Sequence, residues 1–342
     1  MTRRTARQVA ITAVQYAIAL LALAWLVSQV ELQTVWARLT SLAAPTVAVV
    51  LGVSLLGALA QFATWQTVLS PMGTVRFRTA ASISVVVNFV NQLLPSRLSG
   101  RLAAPFVIRS KTGLSYADAA AVSGVHTGIY AVLYGGASTL GLLAIGLIEV
   151  PRLGLLGLLG ISTLLYFVAG GTVLLAGSNL AILDPVVGWL GRAASHLPAV
   201  GDTLAERIHG LTDFTAASTT AFRALAVDGG VWLRYGLAWA VVLLVVPAIR
   251  VWVMLTAFGV AFEPAALLPL YLVTAYSVTL LPLTPGGVGV TEATATAVFV
   301  SLGVPSAAIV PIVFVDRLFG IYLPAVIGWY PAARLDLSAL AD

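Results

Sequence analysis

Long apolar runs recur along the chain, at roughly 9–29, 46–69, 116–148, 154–176, 231–254, 265–283 and 306–331. Most hold about 20 residues, the length of helix needed to cross about 30 Å of hydrocarbon. The pattern predicts a bundle of spanning helices. Two further runs do not fit it. Residues 82–94 (SISVVVNFVNQLL) are too short to cross, and residues 288–303 follow a Pro-Gly-Gly directly. Backbone that leaves a helix inside a bilayer must be covered by protein or line a wet cavity, because lipid pairs neither N–H nor C=O. The two short runs therefore predict broken or re-entrant helices.

The two breaks share a form. NQLLPSRLSGR (Asn91 to Arg101) and TLLPLTPGGVG (Thr279 to Gly289) both contain Leu-Leu-Pro with a glycine five residues after the proline: Pro95 with Gly100, and Pro282 with Gly287. Pro285 and Gly286 lie inside the second break. Interrupted segments at matching places in two halves are the sequence sign of an inverted repeat with a binding site at its centre. The expected fold is all-α: one transmembrane domain over 1–342, with about seven or eight spanning helices and two broken ones. One half covers about 46–148 and the other about 231–331. A polar connector at 177–230 carries Leu204, Ile208, Leu211, Phe222 and Leu225 at helical spacing, which predicts an amphipathic helix on the membrane surface.

Composition agrees. The chain is 60% hydrophobic and 9% charged, whereas a soluble domain carries about 25% charged residues. It has no Cys, so disulfides and Cys-ligated metals are excluded, and its three His show no metal-ligand spacing. No cofactor is called for. Among 18 basic residues only Lys111 is lysine, a bias of GC-rich coding such as haloarchaeal or actinobacterial. The first apolar run follows Arg3, Arg4 and Arg7 and is too long for a signal peptide, so it reads as a retained helix. Positive residues favour the cytoplasmic side. They place both termini, Arg76 and Arg78, and the connector with Arg192, Arg207 and Arg223 inside a cell membrane, and Glu263 outside.

Candidate chemistry clusters at the breaks. Ser84, Asn88, Asn91 and Gln92 share one face of an apolar helix; they either line a polar path or make interhelical hydrogen bonds worth about 1 kcal/mol each. Arg97 and Arg101 follow the first break, a turn apart if helical. A guanidinium grips phosphate with two prongs, and basic residues are also expected on this side by the charge rule. Glu292 either caps a helix beginning near Thr291 or faces a cavity. Asp316 and Arg317 sit within the last span, where ionisable groups are costly. Neighbours on a helix do not face each other, so each needs a separate partner, and Glu292 suits Arg317. His126, with Tyr130 and Tyr134 below it, reads as a hydrogen-bonded bundle histidine. Arg234 and Arg250 read as residues near span ends that snorkel. P-loop, G-x-S-x-G, H-E-x-x-H and Rossmann fingerprints are absent from the sequence.

At these residues the chain resembles the lysylphosphatidylglycerol synthase transmembrane-region family, also called uncharacterised protein family 0104. LLPLTPGGVGVTEA, then LGVP, then DRLFGIYLPAVIGW match its pattern P-x-T-P-G-G-x-G-x-x-E, a G-V-P turn and an Arg in the last helix. The matching residues are Pro282, Thr284, Pro285, Gly286, Gly287, Gly289, Glu292, Gly303, Val304, Pro305 and Arg317. NQLLPSRLSGR with TGLSYADAAA resembles the first block. Two departures stand out: Arg101 where family members often carry an acid, and GVHTG, with His126, where many carry Glu-Arg. The resemblance implies a flippase-like protein that moves lipids between leaflets, with membrane lipids as partners. Relatives that carry a soluble aminoacyl-transferase domain make lysyl-lipid; this sequence shows none. Stand-alone relatives are linked to lipid-borne sugars. Two other readings stay open: a membrane-embedded transferase on a lipid phosphate with Glu292 or Asp316 as base, and a non-catalytic subunit docking a glycosyltransferase through 177–230.

Overall fold

The computed structural model describes Ala17 and residues 32–93, 97–148, 153–179, 219–281 and 283–335; of Leu32, Thr34, Val35, Leu93, residues 97–102, Leu147, Ile148 and Ala176 it describes the backbone alone. The first apolar run, most of the connector, Pro95 and Pro282 lie outside the described residues. Among those described there is helix and no strand. After a short helix α1 (Leu32–Thr40) come α2 (Ala44–Leu69), α3 (Phe77–Leu93), α4 (Arg97–Thr112), α5 (Tyr116–Ile148) and α6 (Leu153–Ser178). The second part holds α7 (Gly229–Ala240), α8 (Val246–Ala257), α9 (Leu268–Ala275), α10 (Val290–Ser301), α11 (Ser306–Arg317) and α12 (Leu323–Ala333). A π-helical turn, Val241–Val245, joins α7 to α8, and another, Leu318–Tyr322, joins α11 to α12.

Five described segments are long and apolar enough to cross a membrane: Ala44–Met72, Tyr116–Gly146, Leu153–Leu175, Gly229–Ala257 and Ser306–Ala333. Each matches an apolar run of the sequence to within a few residues. Their starts follow local chemistry. Asp228 accepts hydrogen bonds from the N–H groups of Gly230 (2.8 Å) and Val231 (3.3 Å) and caps α7. Ser115 caps α5 by accepting from Asp118 N–H at 3.1 Å. Pro45 in the first turn of α2 removes a donor that a helix start leaves unpaired. Pro247 and Pro324 each stand two residues beyond a π turn. A proline in a continuous helix frees a carbonyl and clashes with the preceding turn; the wider turn accommodates both.

Both short runs stop short of a crossing, the second as the 12-residue α10, and so does the 265–283 run, against the expectation of a span. The helix α3 has 17 residues, about 25 Å at 1.5 Å each. It packs against α4, so the chain doubles back. In the second break, Ala265–Leu280 is a short apolar helix ending in a 3-10 turn, Tyr276–Leu280. Apart from a single 3-10 turn at Pro285–Gly287, no described residue is helical again until Val290, where α10 turns back against it. Gly286, Gly287 and Gly289 all have positive φ (61°, 76° and 81°), a region closed to most side chains. Gly100 departs from the expectation. It lies inside α4, which resumes at Arg97, so the proline–glycine spacing marks a break only in the second case.

Contacts between the parts are reciprocal. The first arm of one hairpin, α3, packs on α12, while the first arm of the other, α9, packs on α5. Glycines allow both approaches. A Cβ at Gly328 would strike the Val85 carbonyl, and one at Gly141 would strike the Leu270 carbonyl and Thr274 Oγ1. Thr274 also donates to Ser138 O at 3.1 Å. Small residues at crossings are how apolar helices associate where burial from water supplies no drive. The described end of the connector departs from a surface helix: Phe222 and Leu225 are buried in the core beside α5 and α6, filling space left by Gly124 and Gly177.

Candidate functional site

The hairpin tips meet. Helix α3 touches the Pro285–Gly287 turn, and a Cβ on Gly286 would run into Gln92 Oε1. Beside this junction lies a cavity of about 220 Å³, lined from α3 by Asn88, Asn91 and Gln92, from α8 by Arg250, and from α11 by Asp316 and Arg317. Tyr276 and Thr279 from the second break also line it, as do Trp65, His126, Tyr130 and Tyr134. Ile327 lines the cavity yet is 55% exposed, so it stands at the rim.

Asp316 and Arg317 are 4% and 3% exposed. A helix turns about 100° per residue, so they point to different neighbours. Asp316 Oδ1 accepts from Arg250 Nε (2.9 Å) and Nη2 (2.7 Å), and Oδ2 accepts from Tyr276 OH at 2.9 Å. Arg250 Nη1 also donates to Ser54 Oγ at 3.1 Å. Arg317 Nε donates to Glu292 Oε1 at 2.7 Å, which Tyr322 OH also reaches at 2.5 Å. Glu292 Oε2 accepts from Gly289 N–H at 2.7 Å. Glu292 thus caps its own helix and holds Arg317 at once; the two roles read from the sequence are not exclusive. The Arg317 guanidinium lies 5.9 Å from the Tyr276 ring centroid and 5.5 Å from that of Tyr322, within cation–π range. Its Nη2 is buried without a hydrogen-bond partner.

Arg250 overturns an expectation. It does not snorkel: it is 3% exposed and holds Asp316. Distance from the helix end ignored which face it occupies. Arg234 is exposed, its Nε donating to Gly230 O at 3.0 Å. Tyr276 and Tyr322 were also missed; the signal was the need of a buried Asp316 and Glu292 for donors beyond one arginine each. His126 is hydrogen-bonded as expected. Tyr235 OH lies 3.0 Å from its Nδ1 and donates to its carbonyl at 3.1 Å, which leaves Nδ1 the donor of their mutual bond. Its ring stacks on Trp65 at 3.9 Å. Ser84 is buried and does not line the cavity. Glu292 stands behind Arg317 rather than in the wall. The side chains of Arg97 and Arg101 lie outside the described residues; their backbone forms the first turns of α4.

The architecture is that of an all-α polytopic integral membrane protein whose broken helices meet beside a cavity lined by buried ion pairs. The chain belongs to the family described as lysylphosphatidylglycerol synthase TM region, whose model matches residues 12–328. No curated protein and no solved structure matches the chain.

Truncating one member of a buried ion pair costs about 3–5 kcal/mol, whereas replacing both by apolar residues of similar volume is near neutral. Asp316→Ala should therefore lower stability in detergent by about that amount by stranding Arg250, and the double variant Arg250→Met/Asp316→Leu should recover most of the loss. Denaturation followed by Trp fluorescence measures both; equal stabilities of Asp316→Ala and wild type would contradict the pairing.

Proposed function

We propose that this protein moves a phosphate-bearing lipid, a phospholipid or a polyprenyl-phosphate-linked sugar, between membrane leaflets. The observation that supports this most is the unpartnered, buried Nη2 of Arg317 at the edge of a cavity whose rim is apolar. A guanidinium N–H with no acceptor is a strong donor awaiting an anion. An apolar rim lets lipid tails stay in hydrocarbon while the headgroup enters. Arg97 and Arg101 share a face of α4 and receive the phosphate first, at the cytoplasmic side. Asn88, Asn91 and Gln92 then offer amide contacts along the path. The reciprocal contacts of α3 with α12 and α9 with α5 support two halves related by an inverted axis, about 46–148 and 231–331, with the site between them.

The transferase reading has less support. Both buried carboxylates, Glu292 and Asp316, are held by arginines and tyrosines, and a base so engaged is a poor proton acceptor. A glycosyltransferase or other lipid-modifying partner fits beside the translocation reading as the enzyme that supplies or consumes the lipid.

On this reading the protein sits in the cell membrane with both termini inside, an orientation that the charge rule supports. A cysteine introduced at Asp202 should then resist impermeant reagents applied to intact cells; labelling from outside would reverse the orientation. The chain has no native Cys to interfere. For transport, the purified protein in liposomes should accelerate leaflet exchange of a labelled anionic phospholipid or polyprenyl phosphate. Ala58 lines the cavity on α2 and is not a member of either ion pair. Ala58→Trp should abolish the acceleration while leaving the melting midpoint close to wild type. Exchange no faster than in protein-free liposomes for both lipid classes would refute the reading.

A further inference from the structure

The buried charges of the site cancel: Arg250 and Arg317 stand against Asp316 and Glu292. Once past Arg97 and Arg101, an anionic headgroup enters a site with no surplus positive charge. Uncompensated charge in a low-dielectric interior is costly, so something else must accompany it.

A group of oxygens at the junction of the two breaks has nothing to bind. Asn91 Oδ1, Gln92 Oε1 and Thr284 Oγ1 are buried without hydrogen-bond partners. Thr291 Oγ1, against Gly287, is in the same state. Asn91 is 8% exposed, Thr284 1% and Thr291 0%. Thr284 occupies the N-cap position of the Pro285–Gly287 turn, yet its side chain makes no capping bond. Gly286 is what lets Gln92 Oε1 come so close to that turn. Each buried oxygen left unpaired costs about 1–3 kcal/mol, and four of them on the elements that meet at the junction call for a ligand.

Chemistry sets the sign of that ligand. Amide oxygens only accept. Helix α3 and the turn Tyr276–Leu280 both end here and present their partly negative C-terminal ends. The positive N-terminus of α10 is already engaged by Glu292 through Gly289 N–H. Unwound backbone and helix C-terminal ends at a midpoint break are suited to small cations. Both carboxylates are committed to arginines, which leaves neutral oxygens, and divalent cations favour carboxylate ligands. No nitrogen or sulfur ligand for a transition metal stands in the group.

We propose that the junction of the two breaks binds a monovalent alkali cation through Asn91, Gln92 and Thr284, balancing the charge of the headgroup beside it. The cation's role rests on the lipid reading above; its binding does not. The full-length protein in lipid-free detergent, titrated with NaCl, KCl or LiCl against choline chloride at constant ionic strength, should show a saturable rise in melting midpoint with at least one alkali cation. Thr284 has extended backbone (φ −141°, ψ 155°) that valine adopts readily. Thr284→Val should raise the half-saturating concentration about tenfold or more. Identical midpoints in all four salts for the wild type would mean that water alone fills the junction, and would overturn the proposal whether or not the variant folds. A saturable response that Thr284→Val leaves unchanged would overturn this location. Cation binding without leaflet exchange would sink the lipid reading and leave the cation site standing. Equal exchange in sodium and choline, with no cation binding, would do the reverse.

Discussion

Asp316 and Arg317 are neighbours on one helix, and helical geometry sends them to different partners. From that constraint the centre of the molecule follows. Asp316 needs a cation and finds Arg250 on α8; Arg317 needs an anion and finds Glu292 at the start of α10. Glu292 can serve only if α10 begins there, which requires the chain to leave the helical path just before it. Gly286, Gly287 and Gly289 supply that departure. Tyr276, at the end of the preceding short helix, donates to Asp316 and lays its ring beside Arg317. The two pairs thus fasten α8, the second break and α11 into one unit.

That unit also explains why so apolar a chain retains these residues. Four charges inside helices that otherwise bury Val, Leu and Ile would each be expensive alone. Paired, they cancel, and what remains toward the cavity is polar and neutral: the unpartnered Nη2 of Arg317, amides from α3 and tyrosine rings. On the lipid-transport function proposed above, a surface of this kind meets a headgroup's phosphate without trapping it behind a large net charge.

Much of this was legible in the sequence where hydropathy speaks. The spans at 116–148 and 154–176 coincide with α5 and α6, because about 20 apolar residues have few other solutions. The second break was legible through Pro285 and the glycines, whose backbone demands are local. The Glu292–Arg317 pair was legible because a buried Arg must have an acid. Arg250 was not: a hydropathy window gives depth along a helix, while the face it presents is set by the π turn ahead of it. Gly100 misled for the opposite reason, since a repeated spacing in sequence carried no repeated backbone conformation. Neither the packing of Phe222 and Leu225 into the bundle nor the contact of Gln92 with Gly286 has any signature in the local pattern; both depend on what lies opposite.

The central claim is that two breaks far apart in sequence meet at one point. Cross-linking of Gln92→Cys to Thr284→Cys tests it most directly, because the chain contains no other cysteine and Thr284, two residues from the Gly286 that Gln92 meets, has an extended backbone that cysteine adopts. With a protease site introduced at Asp202, treatment of membranes with a short bis-methanethiosulfonate reagent followed by cleavage should leave the two fragments joined until reductant is added. Fragments that separate without reductant, while a single-chain control confirms folding, would show that the tips do not meet.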